Sequence, residues 1–228
     1  MEPVSWTLVM NYKTLLTSSL IALALTATSH AATVFTTNTS GNAAALAGAG
    51  AGTITPLTLS AEDGGGTLNL TTVSVFDTNG VTTIGMDANS LGVNNDKWGI
   101  DQEWTFSFDL TLSFDGFVLN DTNTVQDPFL ISSSAWIGNT VTNGSNWTFN
   151  STTGTISTIA IPTAETTFTF TGSGLADVTA GTSITIAHNF NGGGGVEMRS
   201  FTVSPIPEAS TLALLGLSGL LLLIRRRR

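Results

Sequence analysis

Residues 104–114 alternate strictly between apolar and polar: Trp104, Phe106, Phe108, Leu110, Leu112 and Phe114 share one parity, and Thr105, Ser107, Asp109, Thr111 and Ser113 share the other. A period of two held this long predicts a strand with one buried and one wet face. Asp115-Gly116 follows and precedes Phe117, a dipeptide that predicts a two-residue hairpin turn at that point. Shorter alternations recur at residues 68–76, 155–161, 166–170, 183–190 and 196–203. Turn clusters separate them at residues 63–66, 79–80, 143–146, 172–174 and 192–195. Between residue 32 and the C-terminal tail no apolar stripe of helical period stands out. The Gly/Ala-rich run 41–52 reads as a flexible surface loop. Many short strands with Gly/Asn turns and no alternation with helices predict an all-β fold, a β-sandwich of jelly-roll type.

The two ends break this pattern and read as addresses. Residues 15–27 form an apolar run preceded by Lys13, and Ser29-His30-Ala31 places small residues as a signal peptidase requires. Cleavage is expected after Ala31, leaving 1–31 as a signal peptide. Met10-Asn11-Tyr12-Lys13 makes a more ordinary start than Met1 with Glu2 and Trp6. At the other end, residues 212–224 carry no charge and are followed by Arg225, Arg226, Arg227 and Arg228. As a helix, thirteen residues reach about 20 Å, short of a hydrocarbon core near 30 Å. The arginines hold that end on the cytoplasmic side, so the preceding domain faces outward.

Pro207-Glu208, the Leu/Gly-rich run and the terminal arginines, in that order, resemble the PEP-CTERM sorting signal of Gram-negative-type bacteria. The resemblance covers residues 207–228 and departs in one place, with Ala209 where the family has a second proline. It implies processing near Pro207 and Glu208 by an exosortase, an integral-membrane cysteine transpeptidase. Residues 91–103 leading into Phe106-Ser107-Phe108, and the closing Gly-rich turn and strand 192–203, resemble β-rich ectodomains of such proteins. The organisation expected is a signal peptide over 1–31, a β-sandwich ectodomain over 32–204, and a sorting signal with a hydrophobic helix over 205–228.

Composition sharpens the ectodomain. Across the chain only 10% of residues are charged, beside 39 Thr, 22 Ser, 16 Asn and 24 Gly, against about 25% charged in an average protein. Between 32 and 204 the only cations are Lys97 and Arg199 against fourteen acids, a net charge near −12. That excludes direct binding to nucleic acid or anionic lipid. Cysteine is absent, which removes disulfides, thiolate metal sites and cysteine nucleophiles.

Candidate chemistry is thin. Asp96, Asp101 and Glu103 are the densest acidic cluster, and hard oxygen ligands suit Ca²⁺, although no Asp-x-Asp-x-Asp-Gly loop is present. No other cofactor is expected. Trp98, Trp136 and Trp147 lie in or near turns, where exposed rings would stack on sugars, or pack loops against the sandwich. His188, the one histidine beyond the signal peptide, shares parity with Ile184, Ile186 and Phe190, as a core residue would. A serine triad would need it, yet no Gly-x-Ser-x-Gly elbow occurs. Six Asn-x-Ser/Thr triplets, at Asn38, Asn69, Asn120, Asn143, Asn146 and Asn150, match the glycosylation pattern. The reading is a non-enzymatic cell-surface or extracellular-matrix protein associated with exopolysaccharide or biofilm. A carbohydrate-binding module is the alternative and a polysaccharide hydrolase, with a pair of carboxylates, the third.

Overall fold

A computed structural model describes residues 32–37, 40–50, 57–61, 66–77, 83–86, 91–93, 98, 101–121, 129–159, 165–188 and 196–206. Ala31, Asp96, Pro207, Glu208 and Arg225 to Arg228 lie outside the described residues, as do both apolar terminal runs. Ala31–Ile206 is one compact unit.

Its elements are strands β1 (Thr33–Thr36), β2 (Leu57–Ser60), β3 (Thr67–Phe76), β4 (Ile84–Met86), β5 (Leu91–Val93), β6 (Gln102–Phe108), β7 (Leu112–Asp121), β8 (Phe129–Ser133), β9 (Trp147–Asn150), β10 (Thr155–Thr158), β11 (Thr166–Thr169), β12 (Ser183–His188) and β13 (Val196–Pro205), with a helix α1 (Ser40–Leu46) after β1. The fold is all-β and sandwich-like, with two sheets whose pairings are antiparallel. One runs β11-β7-β13-β5-β4, with β1 also on β13; the other runs β2-β3-β6-β12-β8-β10-β9. Rings from the two sheets meet between them. Phe108 of β6 lies 6.3 Å from Phe201 of β13, and Phe129 of β8 lies 6.0 Å from Phe117 of β7.

Each segment that alternates in sequence contains a strand, but the longest one is divided. Residues 104–108 belong to β6 in the seven-stranded sheet, and residues 112–114 open β7 in the other. Trp104, Phe106, Phe108, Leu112 and Phe114 all stay buried, so the parity survives while the chain crosses between sheets at 109–111. A single eleven-residue strand is thus corrected to two strands facing one core.

Asp115-Gly116 is no hairpin turn either. Strand β7 runs straight through it, and the pairing with β13 skips Asp115, since Val203 faces Phe114 and Thr202 faces Gly116. This is a β-bulge, which inserts one residue and reverses the parity. Before it Leu112 and Phe114 point inward; after it Phe117 and Leu119 do. The bulge is held by polar bonds instead of a turn. The buried Asp115 carboxylate accepts from Ser113 Oγ at 2.8 Å and Ser204 Oγ at 2.5 Å, and its carbonyl accepts from Phe170 N at 2.7 Å. Gly116 is needed because β11 passes so close that a Cβ would collide with the Phe168 carbonyl oxygen. Similar shifts occur at Val73 on β3 and Arg199 on β13.

The run expected to be a flexible loop is also corrected. Within it α1 buries Leu46, and Ala49 follows into the core. The helix is fixed by Asn42, whose Nδ2 donates to Thr36 O at 2.8 Å and Ser60 O at 2.9 Å, while its Oδ1 accepts from Ser60 N at 2.7 Å. Thr36 belongs to β1 and Ser60 to β2, so one side chain ties the helix to strands of both sheets. A seven-residue helix gains too little from its own hydrogen bonds to persist; tertiary packing and this clamp hold it. Asn42→Ala removes three hydrogen bonds to the backbone of β1 and β2. The expected loss is about 2 kcal/mol, read as a lower urea midpoint. An unchanged midpoint would show that the clamp is idle.

Candidate functional site

The three tryptophans assigned to turns are inside. Trp98 and Trp136 are fully buried and Trp147 is 2% exposed. Trp136 Nε1 donates to Ala176 O at 3.1 Å and Trp147 Nε1 to Thr169 O at 3.2 Å. Trp98 packs edge-on against Phe129 at 5.6 Å and is bridged through its backbone to Val196. None of the three presents a ring face on which a sugar could stack. They pin loops to the sheets.

His188 is likewise enclosed, on the inner face of β12 between Gln102 of β6 and Phe129 of β8. Gln102, its register partner, is buried as well, and so is Asp77, the residue that follows β3. Sequence reading found His188 through its parity but missed Asp77 and Gln102, which sit just outside the alternating runs. Glu197 is buried too, bonded to Asn120 Nδ2 at 3.2 Å and to the Arg199 guanidinium at 3.3 Å.

Asp101 and Glu103 are both exposed at the start of β6, but they do not sit on one regular strand. Asp101 precedes the strand in a left-handed conformation, with φ 54, which aspartate tolerates better than most residues. Among the described residues, which exclude Asp96, no three His, Cys, Asp or Glu side chains converge on a common point. Most of the glycosylation-pattern asparagines are engaged within the fold. Asn69 donates to Asp109 at 2.8 Å, Asn120 to Glu197 and Asn146 to the Thr167 carbonyl, and Asn143 and Asn150 accept from the backbone of Phe149 and Thr152.

The register of the seven-stranded sheet sorts its side chains into rows on two faces. On its inner side the register aligns Val75, Trp104, Ile186, Ile131, Ile156 and Phe149 across six strands. One residue along, pointing outward, the same six strands align Ser74, Thr105, Thr185, Ser132, Thr155 and Asn150. The row is hydroxyl from end to end but for the last residue, and the Thr105 and Thr185 hydroxyls bond each other at 2.8 Å. Two residues on, a parallel row runs Phe76, Glu103, Ala187, Leu130 and Ser157. Register partners on one face have Cβ atoms about 5 Å apart, and the next row lies about 7 Å away. In these two rows Glu103 is the only charged residue.

Phe76 is the residue sequence reading had no means to place. Simple alternation puts it with Leu68 and Leu70, inside. The bulge at Val73 reverses the parity, so Val75 turns in and Phe76 is left 52% exposed. It is the one aromatic among the exposed large hydrophobic residues described.

The site and fold define a class, an all-β protein of two antiparallel sheets, one with a hydroxyl-rich outer face. Compared with protein-family models, curated proteins and solved structures, the chain matches none.

Proposed function

We propose that this chain is an exported, non-enzymatic protein of the cell surface or extracellular matrix that works in association with exopolysaccharide or biofilm. The observation that carries the reading is the order of features at the C-terminus: Pro207-Glu208, an uncharged run over 212–224, then Arg225 to Arg228. In this reading signal peptidase cuts after Ala31. The C-terminal run engages the membrane, the arginines stay on the cytoplasmic side, and an exosortase-type transpeptidase acts at Pro207 and Glu208. The two sheets then stand outside the membrane as a β-sandwich of jelly-roll type. A domain near −12 with a hydroxyl-rich outer sheet face supports a life among hydrated polymers and not on nucleic acid.

The test is made in a bacterium that carries the sorting machinery. Pro207→Ala combined with Glu208→Ala should leave most of the full-length precursor in the membrane fraction, while the unaltered chain loses its tail. Mass spectrometry of the mature protein decides it. The same shortened C-terminus in both forms would remove the sorting role of these two residues, and a C-terminus ending at Arg228 in the unaltered chain would remove processing altogether.

A further inference from the structure

We propose that the outer face of the seven-stranded sheet binds a neutral polysaccharide, seated on Phe76 and Glu103 and extending along the hydroxyls of Ser74, Thr105 and Thr185. The inference rests on the reading of the chain as a polysaccharide-associated surface protein, and it names the surface that makes the contact.

Three observations point to that ligand. The first is the ring. A phenylalanine kept in solvent forgoes the burial that nearly every other described ring achieves, and it is turned out by a bulge in the strand that carries it. The second is its partner. Glu103 is the register partner of Phe76, so an apolar face and an ionised acceptor stand side by side. A sugar ring has the complementary pair, a C–H face that packs on an aromatic ring and an edge of hydroxyls that donate to a carboxylate. Ser74 and Thr105, also register partners, continue the contact with groups that both donate and accept.

The third observation is the shape and charge of the platform. From β3 to β10 it crosses five strands, about 19 Å, long enough for several linked sugars. A small free ligand would favour a concave pocket instead. The charges described on or beside it, Glu103 in the two rows and Asp109 bonded to Asn69 at the end of β6, are both negative, so with a net negative domain beneath the face repels anionic polymers. Among the described residues of its two rows are none of the Trp, Tyr and Arg anchors on which protein partners depend. Ala187, next to Glu103 in its row, leaves room beside the carboxylate for a ring substituent.

Affinity electrophoresis of the full chain in mild detergent tests this, with hydroxyethyl cellulose and galactomannan as neutral polymers and alginate as the anionic one. At least one neutral polymer should retard the chain and alginate should not. Phe76→Ala should weaken retardation at least tenfold, Phe76→Tyr should keep it, and Glu103→Gln should weaken it several-fold. The urea midpoints of all three should match the parent, because both side chains are exposed. No retardation by either neutral polymer, equal retardation by alginate, or full binding by Phe76→Ala would each overturn the proposal. So would concentration-dependent self-association that Phe76→Ala abolishes without any polymer binding, since the face would then dock a second copy. An unaltered chain that keeps its C-terminus to Arg228 yet is retarded by a neutral polymer would overturn the sorting assignment and leave this site standing.

Discussion

Trp104→Ala should lower the stability of the fold by about 3–5 kcal/mol, a large share of the roughly 5–15 kcal/mol that holds a typical domain together. The indole is fully buried on β6, with Val75 and Ile186 as its register partners on either side. It stacks on Phe106 with centroids 4.2 Å apart, and its Nε1 donates to Thr72 Oγ1 at 3.3 Å. Removing it opens a cavity between two tightly paired strands and strands the Thr72 hydroxyl in the core. The backbone cannot close in, because β3 and β12 are each paired to β6 along most of its length. The urea midpoint should fall by about 2 M. Val73→Ala provides the contrast: that side chain is 48% exposed at the bulge of β3, and its removal should cost less than about 0.5 kcal/mol. Equal effects at the two positions would mean that the inner row is not the core of this fold.

Gly116→Val sets two effects against each other. Valine suits a strand better than glycine, by about 1 kcal/mol. Against this, any Cβ at 116 meets the Phe168 carbonyl oxygen, which is backbone and has no rotamer to adopt. Strand β11 cannot step aside without losing its pairing of Thr167, Phe168 and Thr169 with Val118, Phe117 and Gly116. Overpacking costs about 1–3 kcal/mol, and a clash with backbone that has no room to move stands at the upper end, so the clash wins. A net loss near 2 kcal/mol should lower Tm by about 6 °C in a domain of this size. A neutral or stabilised variant would show that β11 does not lie against the bulge of β7.

The strand segments were legible because period-two alternation is a local property. A strand with one face in the core must repeat every second residue wherever it lies, and 196–203 or 166–170 could be read without knowing their neighbours. The shortest strands, β4 and β5, have three residues each, too few for a period to register. The helix α1 escaped for the same reason, having one side chain, Asn42, to betray that it is fastened. Asp115-Gly116 was misread because the dipeptide has the same conformational freedom in a hairpin turn and in a bulge. What separates the two outcomes is whether another strand, here β13 with Ser204, lies alongside to continue the ladder.

The candidate site shows the limit more sharply. Tryptophans near turns and a ring at the end of a strand look alike in sequence, since each is an aromatic beside a break in the pattern. Packing buried Trp98, Trp136 and Trp147 and left Phe76 outside, the reverse of what position suggested. The hydroxyl row could not be seen at all. Ser74, Thr105, Thr185, Ser132 and Thr155 come from five separate strands, and their alignment depends on the register of four pairings and one bulge.

Pattern and composition were therefore enough to establish an all-β domain, acidic and cysteine-free, and to mark the chain ends as candidate sorting signals, because each of these is written in residues close along the chain. Tertiary structure alone settled which strands share a sheet, where the three bulges reverse the parity, and which aromatic ring meets water. Those outcomes depend on backbone groups finding partners far away in sequence, and a one-residue shift in any pairing turns every side chain beyond it to the opposite face.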